Sequence, residues 1–310
     1  MIRRSAVFDR LVARAGRLPP LSAAIVHPCD AESLRGALLA KRHGLIEPVF
    51  VGPEARIRRI AAEARVSLAG CLIVPTEHSH AAAEAAVALA REGRVSCLVK
   101  GSLHTDELIG AMVDSRTGLR TARRMTHVFV LDVPTYPRPL LITDAAINIY
   151  PDLETKADIV QNAIDLAHAI GISRPRVAIL SAVETVTPRI RSTIDAAALC
   201  KMADRGQITG AAIDGPLAFD NAISETARRA KHIDSAVAGR PDILVVPDLE
   251  AGNMLVKQLQ YLSRAKAAGI VLGARVPVVL TSRADSAQSR LASCAIAALL
   301  RAHHARPRVA

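Results

Sequence analysis

Short apolar runs alternate with longer segments of helical period along nearly the whole of this 310-residue chain, and that alternation restricts its fold more than any other feature. Strands are expected at 23–27, 48–52, 71–75, 95–99, 127–131 and 140–143. Further strands are expected at 176–180, 210–213, 243–246, 270–272 and 276–281. Helical patterns fall between them at 31–43, 81–92, 153–170, 188–204, 252–267 and 286–302. Several strand runs, such as ILVV at 243–246, are apolar at every position rather than at every second one. Strands read that way when both faces are covered. The expected class is therefore α/β with mostly parallel sheets.

The length allows one large or two medium domains. The clearest break is VPTYPRP (133–139), whose three prolines would break a helix and remove donors from a sheet. The expected division is 1–140 for the first α/β domain, with 288–310 returning to it, and 141–287 for the second. The active site is expected in the cleft between them. The Arg-rich start reads as an amphipathic helix through Val7, Leu11 and Val12, stopped by Gly16 and Pro19, rather than as a transit peptide.

Composition narrows the partners. Half the residues are hydrophobic but 2% are aromatic and none is Trp, so the core must be built from Ala, Val, Leu and Ile. The five cysteines are far apart, odd in number and without a CxxC pair. That favours a reducing, cytoplasmic compartment over a disulfide frame or a zinc site. The net charge of +11 brings nucleic acid to mind. No nucleic-acid module motif occurs, however, and stacking aromatics are nearly absent. A polyanionic small molecule suits the same charge. The apolar runs fall short of the roughly 18 residues needed to span a membrane, so neither nucleic acid nor membrane is an expected partner.

Ligands of open α/β sheets bind outside the carboxyl ends of strands, and six strand-end segments carry polar groups. KGSLHTDEL offers Lys100, His104 and Thr105, with Thr105 or Asp106 as a cap. SRTGLRTARR offers an arginine cluster that includes Arg120, suited to phosphate. TDAAINIYPDLETK offers Thr143, Asp144 and Asn148, with small Ala145 and Ala146 allowing close approach. DGPLAFDNAIS offers the rigid Gly215-Pro216 turn, expected to end a strand. PDLEAGNMLVKQL places Asn253 and Lys257 four apart on one helix face. VPVVLTSRADSAQSR puts Ser282, Arg283 and Asp285 at the foot of a helix whose buried face is Leu291, Cys294, Ala295 and Ala298. Asp285 with Gln288 fits a capping box there, and the free amides of a helix start favour an anion. No GxGxxG follows the first strand, and GxxxxGK[ST], GxSxG and HExxH are missing, so no bound dinucleotide, P-loop or metal site is expected.

In this order, KGSLHTDEL, TDAAINIYPDLETK, DGPLAFDNAIS, PDLEAGNMLVKQL and PVVLTSRADSAQSRLAS resemble the phosphate acetyltransferase and phosphate butyryltransferase family, over about 23–300. The resemblance implies a two-domain, three-layer α/β/α fold like that of the isocitrate and isopropylmalate dehydrogenases, usually homodimeric. It implies the reaction acyl-CoA plus phosphate giving acyl phosphate plus CoA, with coenzyme A as substrate and no permanently bound cofactor. The family's Ser-Arg pair matches Ser282 and Arg283. In the acetyltransferase branch an aspartate seven residues after that serine deprotonates the CoA thiol; here that position is Ser289. The Ser-Arg-x-Asp-Ser pattern looks like the butyryltransferase branch instead and makes Asp285 the candidate base, with His104 second. Two other readings share this layout: a decarboxylating NAD(P)-dependent dehydrogenase, and a non-catalytic CoA-binding module.

Overall fold

The computed structural model describes residues 6–282 and 285–305. Its first elements are α1 (Ala6–Ala15), β1 (Leu21–Val26), α2 (Ala31–Arg42), β2 (Ile46–Gly52), α3 (Glu54–Glu63), β3 (Leu72–Pro75), α4 (Ser79–Arg91), β4 (Cys97–Lys100) and α5 (Thr105–Val113). There follow β5 (Thr126–Asp132), β6 (Leu140–Thr143), α6 (Leu153–Ala169), β7 (Arg176–Leu180), α7 (Arg191–Asp204), β8 (Ala212–Leu217), α8 (Phe219–Ile223), α9 (Glu225–Ala230), β9 (Ile243–Val245) and α10 (Leu249–Tyr261). The chain closes with β10 (Lys266–Leu272), β11 (Val278–Val279) and α11 (Ala287–His304).

These elements form two compact units. One is split in sequence, Arg4–Arg123 with Ala268–Ala310; the other, Arg124–Ala267, is inserted between its halves. The expected boundary at residue 140 differs from this, for a clear reason. β5 and β6 pair as antiparallel neighbours, Leu131 opposite Leu140, so the proline-rich stretch connects two strands of one sheet. The return to the split unit also comes earlier than residue 288, because β10 and β11 belong there.

The split unit carries strands in the order β3-β2-β1-β4-β11-β10. All neighbouring pairs are parallel except β10 with β11. β1 and β4 are almost wholly buried, in keeping with their continuous apolar sequences. α11 lies against α1, α2 and β11. Every residue from Arg290 to Leu300 is buried, a wider surface than the expected Leu291–Ala298 stripe. Small Ala292, Ser293 and Ala297 on the other faces allow neighbours to close in all round.

The inserted unit has the order β5-β6-β9-β7-β8, with β6, β9, β7 and β8 parallel. Its core gathers Leu131, Leu140, Ile142, Ala178, Leu180, Leu244 and Val256. Gly252 lets α10 settle onto the chain after β6: a Cβ there would stand 2.9 Å from that of Ala145.

Candidate active site

In the split unit β1, β4 and β11 run parallel, so their carboxyl ends share one edge. The β4–β11 ladder stops at Val99 opposite Val279. Beyond that point main-chain carbonyls need other donors, and one side chain supplies them. Arg290 Nη1 donates to Lys100 O at 3.1 Å and to Thr281 Oγ1 at 2.9 Å, while Nη2 donates to Ser282 O at 3.2 Å. Arg290 is 2% exposed, and among the described residues it makes no ion pair and buries its Nε without a hydrogen-bond partner. Sequence reading missed this residue, because an arginine inside a helical pattern reads as solvated.

Ser282 is fixed at both of its peptide groups. Its N–H donates to Asp285 Oδ2 at 2.6 Å, its carbonyl accepts from Asp285 N at 3.1 Å, and Arg290 adds its own bond to that carbonyl. The helix cap is Ser286, whose hydroxyl accepts from Ser289 N, so the expected capping role of Asp285 shifts by one residue. Asp285 closes the turn before the helix. Arg283 lies outside the described residues.

After β4 the chain folds back over the end of β1. Gly101 N donates to Val26 O and Ser102 N to His27 O, at 2.9 and 2.8 Å. A Cβ at Gly101 would run into the carbonyl oxygens of Val26 and His27. Lys100 is buried at this edge. His104 is the N-cap of α5 in place of the expected Thr105 or Asp106; Glu107 Oε2 accepts from its backbone N, and Thr105 opens the helix. Both face partly or wholly outward. Arg120 is exposed and pairs by its backbone with Ala274. His27, also unforeseen, is buried in the left-handed region at φ 50°. Its Nδ1 lies 3.0 Å from Ser102 O; a carbonyl partner requires Nδ1 to carry the proton.

In the inserted unit the structure brings Thr143, Asp144 and Asn148 together, and their bonds run inward. Thr143 Oγ1 donates to His127 O at 2.9 Å. The Asp144 carboxylate accepts from the backbone N–H groups of His127, Ala146, Ile147 and Asn148, and from Asn148 Nδ2 at 2.6 Å. Asn148 Nδ2 also donates to Met125 O. This cluster shapes the turn after β6. Gly215 and Pro216 lie inside β8 rather than at its end, beside a register shift between Ala178 and Leu180. A Cβ at Gly215 would stand 2.7 Å from Ile179 O. On α10, Asn253 Nδ2 donates to Ala145 O at 3.2 Å. Lys257, one turn on, is half-buried and has no hydrogen bond or ion pair among the described residues.

The protein's own thiols are poor nucleophiles at the split unit's core. Burial pushes the Cys97 thiol well above its ordinary value and the Cys294 thiol up to about 12, although Arg290 opposes the second shift. Between α4 and α5 lies a groove of about 690 Å³, lined among others by His80, Glu84, Arg91, Asp106 and Asp114. None of the predicted site residues lines it, so it is set apart from the strand-end chemistry. Among the described residues no three His, Cys, Asp or Glu gather as a metal site, and no helix is long and apolar enough to cross a membrane.

Comparison with known proteins gives these strand ends a context. The family model for phosphate acetyl/butaryl transferase matches residues 77–298. A phosphate acetyltransferase of Rhizobium meliloti is 63% identical over 98% of this chain and 96% of its own. A phosphate butyryltransferase of Clostridium beijerinckii is 39% identical over 96% of this chain and 98% of its own. A branched-chain phosphotransacylase from Enterococcus faecalis, solved by crystallography, superposes with a TM-score of 0.80 at 31% identity, covering 92% of this chain and all of that one. The higher identity to an acetyltransferase corrects the expectation of a closer tie to the butyryltransferase branch.

Proposed function

The chain belongs to the phosphate acetyl/butaryl transferase family, and from that premise we propose that it moves a short acyl group reversibly between coenzyme A and inorganic phosphate. The observation that carries this reading is the family match across 77–298, which takes in all six strand-end segments, from Lys100 to Asp285, in order. Acetyl is the favoured acyl group, since the acetyltransferase relative shares more of the sequence than the butyryltransferase.

In the direction of acyl-CoA synthesis, the CoA sulfur attacks the carbonyl carbon of the acyl phosphate. A carbon–sulfur bond forms, and the carbon–oxygen bond to phosphorus breaks with its electron pair leaving on phosphate. A free thiol is mostly protonated near neutral pH, with a pKa of about 8.5, so a base must take its proton. Asp285 is the proposed base, with His104 second. Asp285 Oδ2 already accepts from Ser282 N, so the proton falls to Oδ1. Ser282 donates to the developing oxyanion or to phosphate, and Arg283 clamps the phosphate as it departs. Lys100 and Lys257 add positive charge, and Arg120 holds CoA phosphates. Thr105 contacts substrate from the split unit, and Gly215, Pro216 and Asn253 do so from the inserted unit, where Thr143, Asp144 and Asn148 hold the turn after β6 in place. The three-layer arrangement of the isocitrate dehydrogenases, a homodimer and a cytoplasmic location complete the proposal.

The test is thiol release from acetyl-, propionyl- and butyryl-CoA with and without phosphate. Release that requires phosphate and is fastest with acetyl-CoA is the expected result. No phosphate-dependent release from any of the three, or reduction of a nicotinamide cofactor with a hydroxy acid, would overturn it.

A further inference from the structure

We infer that Arg290 is a positioning residue for this reaction, holding the Ser282 segment and the end of β4 in register where the sheet no longer does so. The inference rests on the acyl-transfer reading above and adds a residue to it. The parallel ladder ends at Val99 and Val279. Three residues later the chain must present the Ser282 hydroxyl to a reacting centre, and among the described residues the turn that Asp285 closes on Ser282 N has no tie of its own to the end of β4. The guanidinium bridges the gap. Its planar fork reaches Lys100 O and Thr281 Oγ1 through one nitrogen and Ser282 O through the other. Arg is suited to such a bridge because its donors are set at fixed angles on separate nitrogens; a lysine ammonium carries three donors on one atom and has no second nitrogen for Ser282 O.

Two further observations separate this role from ordinary packing. Arg290 is buried with no carboxylate partner among the described residues. Burying a cation that way is costly, and apolar packing at the same position would not incur that cost. The stem of the side chain is also confined by Gly36 of α2: a Cβ there would stand 2.6 Å from Arg290 Cδ and 3.0 Å from its Cβ. α2 therefore keeps a glycine in mid-helix, where alanine would suit the helix better, at the point where room for the arginine is needed.

The test compares wild type with Arg290→Lys, Arg290→Gln and Gly36→Ala, measuring kcat and KM for acetyl-CoA and phosphate alongside thermal unfolding. Both Arg290 variants are expected to lose turnover by ~10²-fold in the folded enzyme, the scale of a misplaced group, with little change in KM for acetyl-CoA. Gly36→Ala, which keeps every polar group and displaces the fork, is expected to lower kcat in the same way, well beyond the unfolded fraction that its crowded core produces at the assay temperature. Wild-type kcat in folded Arg290→Lys would show that charge suffices and the fork does not matter, which overturns the inference. So would a loss of rate in proportion to the unfolded fraction alone. Should the Arg290 variants fail to fold, Gly36→Ala decides: a lowered kcat supports the inference and an unchanged one overturns it. An inactive wild type would instead overturn the acyl-transfer reading, and this inference with it.

Discussion

Asp144 shows how far a polar residue's type can be read from sequence and how little of its role. Its place after an apolar strand, next to Thr143 and ahead of Asn148, marks it as a group with a task. Sequence leaves open whether the carboxylate faces a ligand or its own loop. The structure answers with five donors, four of them backbone N–H groups, around a side chain that is 2% exposed. Asp144→Ala should therefore act through stability, orphaning buried donors at a cost of about 3 kcal/mol or more. Urea denaturation would measure it. A variant that melts like wild type but loses activity would assign the carboxylate to substrate instead. Arg290 is the converse case. It follows Ser289 and precedes Leu291 in an unremarkable helical pattern, and nothing in that spacing separates a buried fork from a solvated one. Its role depends on where two strands end, which is information held some 190 positions away at Lys100.

Among the elements, strands were the most legible, because burial on both faces leaves continuous apolar runs that few helices imitate. Helix starts were less so. Ser286 rather than Asp285 caps α11, and His104 rather than Thr105 caps α5, since adjacent polar residues compete for a cap and only the backbone angles decide. Helix pairing was not legible at all. α6 and α7 are joined by Lys156 Nζ, 2.8 Å from Asp195 Oδ2, with Arg191 Nε 2.9 Å from Oδ1. Burial alone would raise the Asp195 carboxyl, but the bonds and charges of Lys156 and Arg191 outweigh it and hold the group below its ordinary value. A carboxyl depressed on folding contributes stability above its unfolded pKa of about 3.9 and loses that contribution as pH falls through the folded value. Acidification below about pH 4 should therefore weaken the fold. Lys156→Met should cost about 3 kcal/mol at neutral pH and show a shallower loss on acidification, as followed by denaturant midpoints from pH 7 to pH 3. An unchanged slope in the variant would remove this pair from the acid response.

At the scale of the molecule, local pattern does not carry the limits of the two units. The prolines at 133–139 suggested a link between units, whereas the strands on either side of them pair with each other. Antiparallel pairing across an interruption leaves no local mark. Removing residues 278–310 takes away β11, which lies between β4 and β10, together with the buried helix α11. Limited proteolysis with mass spectrometry should then show protected fragments confined to 124–267, while the split unit is digested. Equal protection of residues 6–123 would show that its sheet holds without its late strand.

The split unit also sets an order of events during synthesis. The ribosome delivers β1 to β4 first, then the whole inserted unit, and only afterwards the strand that must slot in beside β4. Until β11 emerges, β4 keeps an unpaired edge in a nascent chain, which is an opening for adhesion to other chains. Slow translation between β4 and β11 would prolong that exposure, and yield in the cell should depend on chaperones that shield the waiting edge.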